Sequence, residues 1–520
     1  MAAPLDRPCA EARLARQILI VALVGGTLLR ILAITLGDLD PGGDGLQRLA
    51  VAARWAVNPE WQGLSGVWPP LHWYTIGSLL RVWNEPMIVA RALNLLLGLA
   101  SLLALRAAVR PLFGELTAAL STLILAFNWT HIWLTSSYWV EIPYLLLIFA
   151  TIHQIQSTSG SGTSQAGAWR AGLWMSLAIF LRHEGIILVL LLSLWLLLEQ
   201  RSLRQLIRFA LLPLGAAAWH LIEPWSRGGS YFDYANTYSQ MKAAENIAHA
   251  FSMTDRFQQI LLMPASTPSI FVVLPGLAGL WMARRNWRRD IFLWLFVVQV
   301  AFFIFLALTT GWRPQLRYIL LYFVNLFPAA ALVWGIWARK WRPWPVILGL
   351  LVLTITLQAI AWQIGRNEGR PLGWLPIRIP TTSQASLDRW LGERREQLLH
   401  LSRQSRPLRT FQIVPGSLTE PWRLSHSILI NRLPISGFEL TEINTAYQFE
   451  FQQAQHPAAP ALQPLLAADL ILIDPEAPCY AALVAALTAP NGQSAAPTIR
   501  QLSPRVTIIL LSPEARQALR

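Results

Sequence analysis

Three aspartates, Asp38, Asp40 and Asp44, follow directly on the first long apolar run of the chain. Pro41, Gly42, Gly43 and Gly45 bend the backbone among them. A carboxylate at the mouth of a membrane helix can act as a general base and take the proton from a hydroxyl. The same residues also read as a solvated turn, in which Asp44 caps an amphipathic helix over Leu46–Trp55. Further along, Glu141 stands one turn inside an apolar segment, two residues before Pro143. An ionisable group at that depth is expensive and faces a polar cavity or a partner of opposite charge. Arg182, Glu184, Arg313 and Arg317 fall at the ends of other apolar segments. Arginines there either snorkel to the interface or hold an anion. His72, His131 and His183 lie on or near the same side as Glu141 and Glu184. That set admits a divalent cation, but no fixed ligand spacing selects one, so no metal is assigned. Trp68, Trp73 and Tyr74 suit stacking on a sugar face as well as anchoring in the membrane belt.

The elements that must position these residues are membrane helices. Apolar residues make up 54% of the 520 residues and charged residues only 13%, and the mean hydropathy is +0.41. A soluble domain carries about 25% charged residues, so this chain lacks the polar surface to cover a water-soluble globule. The 25 Trp agree with that, since Trp concentrates at membrane–water interfaces. The net charge is +14, and every cation except Lys242 and Lys340 is arginine. Arginines stand in the short loops between apolar runs, where they set topology. No basic–aromatic face or nucleic-acid module accompanies them, so no nucleic-acid partner is expected. Cys9 and Cys479 lie at opposite ends of the chain and define neither a disulfide framework nor a metal site.

Residues 1–16 are polar and basic and are expected to be cytoplasmic. Gln17–Leu36 then spans the bilayer, with no small-residue cleavage site after it. Further spans are predicted near 87–109, 116–134, 138–155, 169–182, 185–199, 206–224, 268–283, 290–310, 317–338 and 344–364. Counting Trp68–Trp83 as another span would move the arginine clusters of the later loops outside. Keeping it as an interfacial or re-entrant piece leaves those clusters inside, which selects about eleven spans. The transmembrane domain is then 17–365, with a large outer loop 37–86 and a second outer loop 225–267. Thr158–Ser164 is a flexible inner loop. The unusual polar residues all converge on the outer face.

After Ile364 the composition turns more polar. Strand-like runs at 410–414, 427–430, 470–473 and 506–511 alternate with helical stretches such as Ser386–Leu401 and Ala481–Leu487. Residues 380–520 are therefore expected to form a small α/β domain. An odd number of spans from a cytoplasmic start puts it outside the membrane. Asp474 ends one of the runs and reads as a ligand position or as a turn residue.

Several segments, in order along about residues 15–365, resemble the polyprenyl-phosphate-sugar-dependent membrane glycosyltransferases of the GT-C superfamily. That group includes the protein O-mannosyltransferases and the aminoarabinose transferases of lipid A. Asp44-Gly-Leu-Gln-Arg through Arg54-Trp55 resembles the Asp-Glu motif after the family's first helix, although Gly45 stands where the family has Glu. Trp68-Pro-Pro-Leu-His-Trp-Tyr74 resembles the Pro-Pro-Leu-Tyr-Tyr segment of its first outer loop. Arg91-Ala-Leu-Asn, with Arg106 to Gly114, resembles the second helix and its inner turn. Leu181-Arg-His-Glu-Gly185 resembles an Arg-x-Glu-Gly turn, and Arg317-Tyr-Ile-Leu-Leu before Pro328 resembles a late Arg-Tyr-Leu-Leu-Pro helix.

The resemblance implies a GT-C-like, α-helical polytopic membrane protein that moves a sugar from a polyprenyl-phosphate donor to a lipid, glycan or protein acceptor. It implies an inverting hexosyl transfer at the outer face of the cell membrane, whether inner or plasma membrane. Asp44, or Asp40 or Asp38 in its place, would be the base. Glu141, Arg182, Glu184, Arg313, Arg317, Tyr318 and His72 would contact substrate, with the arginines holding the departing phosphate through their planar forks. The competing reading is a transporter or flippase of lipid-linked saccharides. Transporters place charged, broken-helix sites near the midplane, often in repeated halves, whereas these charges crowd to one face. A partner-binding scaffold would leave the ordered motifs unexplained. The topology carries its own test: a phosphatase reporter fused after residue 380 should be active only outside the cytoplasm, and a reporter active only in the cytoplasm overturns the odd span count.

Overall fold

The apolar runs fold as helices whose outward sides remain apolar. Val24, Leu28, Ile31 and Leu32 on the first helix, and Leu190, Leu194, Leu197 and Leu198 further on, are exposed. A water-soluble protein does not present so much contiguous apolar surface, and lipid is the solvent that accepts it. The structure, a computed structural model, describes residues 7–36, 43–57, 69–83, 85–159, 165–200, 202–226, 269–284, 290–310, 316–341 and 343–366, five strands beyond them, and a few isolated positions.

The helices, in chain order, are α1 (Arg7–Leu36), α2 (Gly43–Val57), α3 (Leu71–Val82), α4 (Pro86–Ala126), α5 (Trp129–Ser136), α6 (Glu141–Ser159) and α7 (Gln165–Ile179). There follow α8 (Gly185–Gln200), α9 (Leu203–Ser226), α10 (Ile270–Ala283), α11 (Ile291–Thr310) and α12 (Leu316–Phe323). A 3₁₀ turn, Val324–Leu326, leads into α13 (Phe327–Lys340), and α14 (Pro343–Arg366) closes the helical part. Two compact units emerge. One holds α1, most of α4 and α5–α14; the other holds α2, nearly all of α3 and the strands.

In the first unit α7 packs against α6 and α9, α1 against α5, and α10 against α13. Trp334, Phe327, Leu120, Phe149 and Phe292 fill its core. Polar clasps tie neighbouring helices: Asn325 Nδ2 donates to Gln299 Oε1 at 2.7 Å, and Trp334 Nε1 to the carbonyl of Phe271 at 3.1 Å. Such bonds satisfy groups that lipid cannot.

Among the described residues three segments are long and apolar enough to cross a bilayer: Ala10–Thr35, Ile88–Ala126 and Arg317–Lys340. The broken pair α5–α6, bent by 114°, makes a fourth, and shorter apolar helices lie within α8, α10, α11 and α14. The spans expected at 87–109 and 116–134 are two helices that meet at a kink within α4, and a second break follows inside the later one. α4 runs on to Ala126, bent at Gly114 (φ 82°, ψ 174°) shortly after Pro111, and the chain breaks again at Phe127–Asn128 to start α5. Pro111 has no N–H to continue the helix, and Gly114 supplies a backbone region that other residues avoid. Glu115, next to the bend, is held by Arg106 at 2.8 Å and Arg110 at 2.5 Å.

In the second unit the stretch expected as an outer loop, 37–86, contains two helices. On α2, Leu49, Ala52 and Trp55 are buried, and on α3, Trp73, Ile76 and Leu80 are. The Trp55 and Tyr74 rings meet at 5.1 Å, and the ring of Trp55 lies over Gly77. Asp44 falls inside the first turn of α2 rather than capping a helix that starts at Leu46. Of the expected interfacial piece Trp68–Trp83, residues 71–82 are helix α3.

The strands are β1 (Leu408–Ile413), β2 (Phe438–Leu440), β3 (Leu470–Ile473), β4 (Thr498–Ser503) and β5 (Val506–Leu510). They form one sheet in the order β2-β1-β3-β5-β4. β1 runs parallel to β2 and β3, and β5 antiparallel to β3 and β4. The central strand β3 reads Leu-Ile-Leu-Ile, an uninterrupted apolar run. Three of the strand-like runs read from the sequence fall on β1, β3 and β5, while 427–430 and Asp474 lie outside the described residues. β2 and β4 are additional; Phe-Glu-Leu is too short, and Thr-Ile-Arg-Gln-Leu-Ser too polar, to stand out by pattern.

Gly114 sits in a region open essentially to glycine alone. Gly114→Ala should cost about 1–3 kcal/mol, read as a lowered thermal midpoint in detergent.

Candidate functional site

The site begins with Glu141. The chain turns through 137–140 after α5 and starts α6 at Glu141, so the acid is the first residue of the helix, not one turn inside it. Pro143 explains the difference. A missing N–H is tolerated only in the first helical turn, which draws the start of α6 to this point. The Glu141 side chain is fully buried at the positive end of the helix dipole.

Its partner comes from the turn between α7 and α8. Backbone hydrogen bonds from Arg182 N to the carbonyl of Ala178 (2.9 Å) and from Gly185 N to that of Arg182 (3.1 Å) fold the turn. Arg182 thereby points inward and is only 6% exposed. Its Nη1 donates to Glu141 Oε1. Its other edge grips Glu184, with Nη2 to Oε1 at 2.6 Å and Nε to Oε2 at 3.3 Å. One guanidinium thus spans two carboxylates, and Nε, Nη1 and Nη2 are all engaged. Burial pushes the Glu184 carboxyl up, but the charge and hydrogen bonds of Arg182 outweigh burial and lower it from 4.5 to about 2.

Arg317, in the first turn of α12, brings Nε to 3.8 Å from Glu141 Oε1. Its guanidinium lies 4.6 Å from the ring centre of Trp139 and 5.0 Å from that of Tyr318. Arg182 stands 4.9 Å from the same Tyr318 ring, so two cations flank one aromatic face. Glu141 Oε2 is buried with no hydrogen-bond partner among the described residues. An anionic oxygen left in that state marks a place where a hydroxyl could donate. Leu71 N bonds the carbonyl of Phe180 at 3.0 Å, tying the start of α3 to the end of α7 next to the Arg182 turn. His72, the next residue, is buried.

Five sequence-derived residues thus come together: Glu141, Arg182, Glu184, Arg317 and Tyr318. His131 does not join them; it lies in a separate buried cluster with Arg30 and Ser101. His183 stacks edge-on against His220 at 5.0 Å. Among the described residues no three of His, Cys, Asp and Glu are grouped to hold a metal ion. Asp38, Asp40, Arg313, Trp68 and the loop 227–268 lie outside the described residues, and of Asp44 only its place on α2 is described.

Trp139, Tyr144 and Tyr322 were not singled out in the sequence. All three are buried, and Tyr144 and Tyr322 lie within electrostatic reach of Arg182 and Glu184. A signal existed: Tyr144 follows Glu141 by three residues and Tyr322 follows Tyr318 by four, the spacings that share a helix face.

No family model and no curated protein matches this sequence. Solved structures do share its fold. ArnT from Cupriavidus metallidurans, bound to undecaprenyl phosphate, aligns with a TM-score of 0.57 at 14% identity, over 94% of this chain and 97% of that one. The archaeal oligosaccharyltransferase AglB from Archaeoglobus fulgidus, in complex with an inhibitory peptide and a dolichol-phosphate, aligns at 0.51 and 14%, over 91% and 71%. The arabinofuranosyltransferase AftD from Mycobacteria aligns at 0.52 and 14%, over 95% and 41%. The chain thus shares the fold of these three solved structures.

Arg182→Met would strand two carboxylates, one of them wholly buried, and should cost about 3–5 kcal/mol of stability. The pH sign follows from the lowered Glu184 carboxyl. Its contribution is complete above about pH 4.5 and is lost as the pH falls toward 2. Thermal midpoints of Glu184→Gln should therefore lie below wild type at neutral pH and converge on it across that acid window.

Proposed function

We propose that this chain is an integral-membrane glycosyltransferase that moves a sugar from a polyprenyl-phosphate donor to an acceptor hydroxyl at the outer face of the membrane. One observation carries the reading: a Glu141–Arg182–Glu184 cluster with Glu141 and Arg182 buried and Glu184 half-buried, faced by Arg317 and aromatic rings, sits at helix ends in a fold whose solved examples include proteins bound to undecaprenyl phosphate and dolichol-phosphate. Fold alone does not define chemistry, so the assignment rests on this cluster together with the fold.

In the proposed reaction an outer-loop aspartate, Asp44 first and Asp40 or Asp38 otherwise, takes the proton of the acceptor hydroxyl. The freed oxygen attacks the anomeric carbon from the side opposite the phosphate. The bond from that carbon to the phosphate oxygen breaks with inversion, and the polyprenyl phosphate leaves with the electron pair. Arg317 and Arg313 are the cations proposed to stabilise that departing charge. Arg182, with its donors on Glu141 and Glu184, holds both carboxyl groups in place. Glu141 then orients the acceptor through its second oxygen, and Tyr318 and His72 line the approach.

The proposal includes about eleven spans, a cytoplasmic N-terminus, and a strand-bearing C-terminal α/β domain on the outer side. The acceptor is a lipid, glycan or protein. Nothing in the described structure favours the transporter reading.

Transfer from a radiolabelled polyprenyl-phosphate sugar in detergent tests the proposal, because an enzyme needs no sealed membrane. Asp44→Asn should lower turnover by about 10²–10⁴-fold with expression unchanged. Transfer that survives Asn at all three aspartates would remove the base assignment.

A further inference from the structure

A second charged cluster lies within the helical unit, apart from the site. Arg30 on α1 is fully buried, and among the described residues no carboxylate pairs with it. A lone guanidinium in such surroundings costs several kcal/mol unless its donors are satisfied. Here dipoles meet its two terminal nitrogens: Nη1 donates to the carbonyls of Gly26 (2.7 Å) and Ala126 (2.9 Å), and Nη2 lies 2.5 Å from Nδ1 of the buried His131, while Nε is buried with no hydrogen-bond partner among the described residues.

This contact fixes the histidine's state. A guanidinium has only donors and stays charged, so Nδ1 must accept and the imidazole proton sits on Nε2. Nε2 is 3.0 Å from Ser101 Oγ and donates to it, and Ser101 in turn donates to the carbonyl of Gly98 at 2.7 Å. A directed chain of hydrogen bonds therefore runs from α1 through α5 to α4.

The chain ends on a helix face that holds the α5–α6 bend from both sides. Asn94, Gly98 and Ser101 follow at i, i+4 and i+7 along one face of α4. Asn94 Nδ2 donates to the carbonyls of Trp139 (2.9 Å) and Leu134 (3.4 Å), across the break between the helices. Gly98 lies so close to Thr135 that any Cβ would collide with it. Asn128 Oδ1 accepts from His131 N at 3.0 Å and caps α5. Trp139, held by Asn94, carries the Arg317 guanidinium on its ring, and two residues later comes Glu141.

We infer that Arg30 and His131 are positioning residues: through Ser101 and the Asn94–Gly98 face of α4 they hold the α5–α6 bend at the angle that delivers Glu141 to Arg182. The inference rests on the proposed function only in treating Glu141 as part of the site. Its geometric content does not need any activity.

Hydrogen–deuterium exchange on the full chain in detergent, with a thermal double-mutant cycle, tests it. Arg30→Met and His131→Phe should each speed exchange of amides 128–142 by at least about tenfold and leave 165–200 unchanged. Arg30→Lys keeps the charge without the fork and should fall between Met and wild type. Ser101→Ala, which removes one link and no charge, should give a smaller rise confined to the same segment, and it decides the matter should the Arg30 variants fail to fold. In the cycle, Arg30→Met combined with Glu141→Gln should lower the thermal midpoint by less than the sum of the two single drops. Unchanged exchange at 128–142, a rise spread over all helices, or strict additivity overturns the inference. Wild-type sugar transfer judges the proposed function independently, so the two fail separately.

Discussion

A carboxylate buried at the start of a membrane helix cannot stand alone, and the arrangement of the helical unit follows from the need to pair Glu141. Its partner must come from elsewhere in the chain, reach it without solvent, and keep its own charge compensated. Arg182 meets all three demands by holding Glu141 with one nitrogen and Glu184 with its opposite edge. For that pairing to exist, the α7–α8 turn, the α5–α6 bend and the first turn of α12 must converge. The 114° bend is thus a requirement of the charge pairing as much as a consequence of the break at 137–140.

The two buried arginines show different solutions to one problem. Arg182 is neutralised by acids, which gives strong directional pairing and leaves one carboxylate oxygen over. Arg30 meets carbonyl dipoles and an imidazole, which engage Nη1 and Nη2 but leave its charge unpaired with any carboxylate among the described residues. The first arrangement presents chemistry; the second ties helices together. Both arginines are held by short polar links, while leucine, isoleucine and valine are exposed on the outward sides of the helices.

The fold shared with ArnT, AglB and AftD at 14% identity indicates how little sequence this architecture prescribes. In this chain the helix ends bring together two acids, two arginines and the aromatic residues Trp139, Tyr144, Tyr318 and Tyr322.

Membrane character, the run of long apolar segments and three of the five strands were legible in the sequence, because hydropathy and period are local properties. So was the set Glu141, Arg182, Glu184, Arg317 and Tyr318, since ionisable and aromatic residues at the ends of apolar runs stand out against their surroundings. The helix over Leu71–Val82 and the separation of His131 from the site were not legible. Each depends on what a segment packs against, and hydropathy does not carry that information. Residue types alone determined that charges would have to be paired inside an apolar protein. Only the tertiary structure decided the partners, because a pairing between residues 41 positions apart is set by the meeting of helices rather than by any pattern along the chain.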